Sequence, residues 1–144
     1  MDSLARHRDY LEGEWRAAQA APLSARKAML VAMLIDAFVD RMFTALPPDA
    51  GDILEYRAEV AASSPALGLL LALCSRRDGV DLVTEAVQVP IADYGKLSEA
   101  DFMVSLYNDH SVQRVQIVGA DGERRDMHEV LREAMGALAL AHQR

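Results

Sequence analysis

The stretch SARKAMLVAMLIDAFVDRMFTALPP, residues 24–48, decides how this chain folds. Ser24 offers a side-chain oxygen to the unpaired amides at a helix start. Pro47 and Pro48 end that helix, because the residue before a proline is pushed out of the helical region. Between Ala28 and Phe43 the only polar positions are Asp36, Asp40 and Arg41. An amphipathic helix needs only about three or four apolar positions per two turns. A helix apolar nearly all round must be covered nearly all round. The reading is a central helix in a bundle, with a second copy of the chain covering what the bundle leaves open. A homodimer through helix 24–46 is therefore expected, two-fold dimers being the commonest oligomers.

Upstream, residues 3–20 read as a helix with Leu4, Leu11, Trp15 and Ala18 near one face. Pro22 breaks it. Downstream, Asp49 or Asp52 caps a third helix to about residue 62. Ser64-Pro65 is a strong start signal for a fourth, running to about residue 77. Arg76, Arg77 and Gly79 suit its C-terminal end.

After Gly79 the periodicity changes. Val83, Val87, Val89 and Ile91 approach alternation, with Pro90 favouring an edge strand. Asp93-Tyr94-Gly95 reads as a turn. Ser98 with Asp101 opens a short helix to Tyr107. Residues 112–118 form a second strand, with Val115 and Ile117 on one face, and Asp121-Gly122 is a hairpin turn into a short third strand at 123–126. Asp126 with Glu129 then caps a last helix to about residue 141. The fold expected is mainly α (α+β). A four-helix bundle-like half, 1–79, precedes a mixed half, 80–144, with a small antiparallel sheet confined to 85–127, a short helix and a C-terminal helix. The two halves are read as one domain, 1–144, around one core.

The bulk properties narrow the function. The chain has 144 residues, 51% of them hydrophobic, enough for a core without metals or disulfides. Fifteen basic residues against 22 acidic ones give a net charge of -7, which argues against nucleic acid and anionic membrane as partners. The apolar run at 28–46 is interrupted by three charges and fails as a membrane span. With a charged N-terminal segment and one cysteine, the expectation is a soluble protein of the bacterial cytoplasm.

Few residues suggest chemistry. Asp36 and Asp40 are four apart on the second helix, and Glu55 and Glu59 are four apart on the third. Each pair shares a helix face. If the helices pack antiparallel and the pairs converge, four carboxylates could hold Mg2+ or Mn2+. The plainer reading is solvated acids paired with Arg41 or Arg57. Cys74 lies in an apolar run and reads as a small buried hydrophobe. His7 and His142 read as exposed, His110 as a turn residue and His128 as a first-turn helix residue. No histidine has zinc spacing. Arg114, Arg124 and Arg125 on the hairpin could hold an anion, with nearby Asp121, Glu123 and Asp126 as internal partners.

Three functional readings follow. The one that asks least is a non-catalytic, self-associating interaction or regulatory protein. The second is a metal-dependent hydrolase of a nucleotide or other phosphate ester, using Asp36, Asp40, Glu55 and Glu59. The third is a small-ligand binder with its pocket between the two halves, lined by Met29, Met33 and Met42. No cofactor is expected except the metal of the second reading.

Overall fold

The computed structural model describes residues 3–75, 79–89, 95–97 and 111–142. Helix α1 spans Ser3–Gln19, α2 Ala25–Thr44, α3 Ile53–Ser63 and α4 Pro65–Ser75. Strands β1 Asp81–Gln88, β2 Ser111–Val118 and β3 Arg124–Asp126 follow, and α5 spans Met127–His142. The protein is mainly helical with a small antiparallel sheet, an α+β fold.

The helix starts obey the local chemistry. Ser24 is extended, and its hydroxyl accepts from the Lys27 amide at 3.1 Å. Asp52, rather than Asp49, caps α3 by accepting from the Leu54 amide at 3.1 Å. Ser64 accepts from the Leu67 amide at 3.3 Å, and Asp126 Oδ2 accepts from the Glu129 amide at 3.3 Å. Glycine is needed at Gly68, where a Cβ would sit 3.0 Å from the Ala61 carbonyl oxygen. That contact lets α4 lie close against α3.

Helix α2 is the centre of the molecule. Ala28, Val31, Ala32, Ile35, Phe38, Val39 and Met42 form its buried side. It touches α1, α3, α4, α5 and β1. One cluster of buried side chains joins both halves, from Leu11 and Leu70 to Ile117 and Leu131. Burial of such side chains stabilises by roughly 1.5–3 kcal/mol each.

The sheet order is β1-β2-β3, all antiparallel. Val115 and Ile117 face the core, as their spacing implied. The sheet starts at Asp81, four residues before the expected 85, because pairing of Asp81 with Val118 and Leu82 with Ile117 continues the ladder. Gly122 has φ +81° at the tip between β2 and β3, and Asp121 Oδ1 accepts from the Glu123 amide at 2.9 Å. The expected turn at 93–95, the short helix at 98–107 and the end of α4 at 76–77 lie at least partly outside the described residues.

Candidate functional site

The carboxylate pairs on α2 and α3 do not meet. Ile53, Tyr56, Arg57, Val60 and Ala61 are the partly buried residues of α3, while Glu55 and Glu59 are exposed. What α3 presents to Asp36 and Asp40 is a guanidinium. Arg57 donates to Asp40 at 2.7 Å and to Asp36 through its other terminal nitrogen. Partial burial works against the Arg57 charge, but the hydrogen bonds and charges of both aspartates outweigh it and raise its pKa. Among the described residues no three His, Cys, Asp or Glu side chains are grouped to hold a metal ion.

Cys74 lies in the same neighbourhood. Burial first, and the Asp36 charge second, push its thiol up to about 11 against the opposing effect of Arg57. It is half-buried and has no disulfide partner. A thiol so raised is protonated at neutral pH, which is the opposite of an activated nucleophile.

His7 is buried, a correction to its reading as exposed. It stands three residues after Leu4 and four before Leu11, on the core face of α1. Its ring donates through Nε2 to the Leu34 carbonyl at 3.0 Å and lies 5.6 Å from the Phe38 ring. The 4-7-11-18 spacing was visible in the sequence, but a histidine was not counted as a core residue. His128 donates through Nε2 to the Ala18 carbonyl at 3.2 Å and packs near Trp15. Both histidines thus tie helices together. His110 and the His142 side chain lie outside what is described.

Arg124 and Arg125 form ion pairs with acids distant in sequence. Arg124 bridges to Glu85 on β1 at 2.6 Å, and Arg125 bridges to Glu133 on α5 at 2.9 Å. Asp121 and Asp126 are instead occupied with turn and cap amides.

Two surfaces remain. The first is apolar. Tyr10 on α1 is 61% exposed, and Leu30 and Met33 on α2 are 40% and 54% exposed. Ser3 on Arg41 and His7 on Leu34 fix the two helices as antiparallel. That register brings Tyr10 to the level of Leu30 and Met33. The second is the outer face of the sheet. Glu85 lies opposite Arg114 and Gln116 opposite Asp126, but Val83, Val87 and the buried Val112 share this face, so it mixes polar and apolar side chains. A cleft of about 320 Å³ lies beside it, with Lys96, Arg114, Asp126, His128 and Arg132 among its lining residues. A larger space of about 680 Å³, lined by Met29, Leu73 and Leu82, lies between α2, α4 and β1. Of the expected methionine lining only Met29 is there; Met33 faces solvent and Met42 is core.

Among the described residues no helix is long and apolar enough to cross a membrane. Comparison with known protein families, with curated proteins and with solved structures returns no match for this chain.

Proposed function

We propose that this protein is a non-catalytic interaction protein that works as a homodimer, pairing through the outer faces of α1 and α2. The observation that carries the reading is the group of exposed apolar side chains Tyr10, Leu30 and Met33 on two adjoining helices. Exposed apolar residues scattered singly need no explanation, but a contiguous group marks a contact surface.

The charges beside the group support a second copy as the occupant. Arg6 and Glu14 stand four residues before and after Tyr10 on α1. In a two-fold pairing of α1 with its copy, centred on Tyr10, Arg6 faces the copy's Glu14 and Glu14 faces its Arg6. A surface that complements itself under a two-fold axis is what an isologous contact requires. The interface uses the outer side of α2, not Val31 and Val39, which are fully buried in the chain's own core.

Light scattering at micromolar concentration tests this. The parent chain is expected at twice the mass of the 15.8 kDa protomer. Met33→Glu combined with Tyr10→Ser is expected at the protomer mass with an unchanged circular dichroism spectrum. A parent chain at the protomer mass refutes the proposal, as does a dimer that the double variant leaves intact.

A further inference from the structure

We propose that the free edge of β1 takes up an extended peptide with an apolar last residue and a free C-terminal carboxylate, added antiparallel as a fourth strand. Titration reads this binding and mass reads the pairing of copies, so either can fail alone.

The sheet order leaves β1 with a neighbouring strand, β2, on one side only. Its eight residues pair with β2 without a bulge, and Asp81–Gln88 holds no proline or lysine. Long edges are usually blunted by such devices, because their unpaired amides and carbonyls accept another strand. The Leu82 amide donates to Asp81 Oδ1 at 2.8 Å and therefore points away from β2. Amide direction alternates along an antiparallel strand, so the amides of Thr84, Ala86 and Gln88 point outward too. None of these three amides has a hydrogen-bond partner among the described residues. All three residues are exposed, although Val115, opposite Thr84, is fully buried. The helical layer thus ends over β2 and leaves the edge of β1 open to a strand.

The start of β1 selects the kind of strand. The space of about 680 Å³ between α2, α4 and β1 lies there, with Arg26, Met29, Leu73, Val80 and Leu82 among its lining residues. A residue added opposite Leu82 shares its side of the sheet, so an apolar side chain at that position enters this space. Main-chain bonds along an edge give strand addition its affinity, and a pocket for a side chain gives it specificity. Arg26 is exposed at the same place and has no ion-pair partner among the described residues. An antiparallel peptide ends here, and its carboxylate meets Arg26. A parallel one would bring its ammonium to the same cation, a like-charge contact. Asp81 lines the space as well, and its bond to the Leu82 amide takes the place of an incoming carbonyl oxygen. An added strand displaces it.

Calorimetry on the full chain tests this with a short N-acetylated peptide of alternating threonine and valine that ends in leucine. The free acid is expected to bind saturably, and its C-terminal amide about tenfold more weakly. N-methylation at the leucine and every second residue before it removes the donors that face β1 and is expected to abolish binding. N-methylation at the intervening residues is expected to leave it intact. Ala86→Pro removes an outward amide that β2 does not use and is expected to abolish binding with an unchanged circular dichroism spectrum. Arg26→Gln is expected to make acid and amide bind alike. Asp81→Ala frees the Leu82 amide and is expected to tighten the free acid about threefold. No saturable binding up to about 1 mM overturns the site, as does binding indifferent to which residues are N-methylated. Equal affinity of acid and amide for the parent chain overturns the direction assigned to the strand. A mass above twice the protomer that Ala86→Pro lowers makes a second copy the occupant and overturns the peptide.

Discussion

In the helical half, Arg57 reaches from α3 to both Asp36 and Asp40, so that each charge of that group has a partner. On the outer sheet face, Arg124 closes on Glu85, but Asp126 keeps one carboxylate oxygen buried without a partner among the described residues. Both groups mix arginine with aspartate, and both draw on elements distant in sequence. They differ in whether the hydrogen bonding is complete. A complete group fastens helices and gains nothing from a further molecule. An incomplete one carries a cost of about 1–3 kcal/mol. Composition alone does not distinguish them, since carboxylates at helical spacing drew attention to the group that turned out closed.

The largest expected effect breaks the closed half outright. Val31→Glu places a charge where the side chain is fully buried. An unpaired buried charge costs about 3–5 kcal/mol, a large part of a domain's stability. Met33→Glu, two residues on and 54% exposed, is expected to change protomer stability by no more than about 0.5 kcal/mol. Urea unfolding followed by circular dichroism measures both. Equal effects would mean that α2 has no distinct buried and open sides.

A smaller effect compares the two charged groups directly. Asp36→Asn takes one partner from Arg57 and is expected to destabilise by about 1 kcal/mol. Asp126→Asn removes a charge that is incompletely bonded, retains the helix cap, and is expected to lie within about 0.5 kcal/mol of the parent chain. If Asp126→Asn proves the more destabilising of the two, the carboxylate is completed within the protein and the contrast fails.

The smallest effect concerns pH. The Cys74 thiol is raised from its ordinary 9.0 to about 11. Its reaction with an alkylating reagent is expected to stay slow through pH 9.0 and to rise as pH approaches about 11. Because the folded-state value is the higher one, this thiol's contribution to stability is present below pH 9.0 and fades as pH climbs toward about 11. Asp36→Asn removes the second cause and is expected to lower the thiol's pKa, while burial, the larger cause, keeps it above 9.0. Rapid alkylation of the folded chain at pH 8 would show that Cys74 is not held as described.

What was legible in the sequence is what depends on neighbours along the chain. Ser24, Asp52, Ser64 and Asp126 cap helices because a short polar side chain reaches an amide two or three residues on. Pro22 and Pro47-Pro48 bound α2 by covalent geometry. Val115 and Ile117 share the core face because strand side chains alternate. These relations span a few residues, so periodicity and turn chemistry carry them. The start of β1 was misplaced because Asp81 and Leu82 join the sheet through partners at Val118 and Ile117, more than 30 positions away.

Only the tertiary structure decided which polar groups are finished. That Arg57 takes Asp36 and Asp40, that His7 donates to the Leu34 carbonyl, and that Arg125 finds Glu133 depends on how the elements pack against each other. So does the Asp126 Oδ1 that no described residue meets. The sequence states the donors and acceptors. Whether a buried one is satisfied depends on distances of about 3 Å between groups that packing alone brings together.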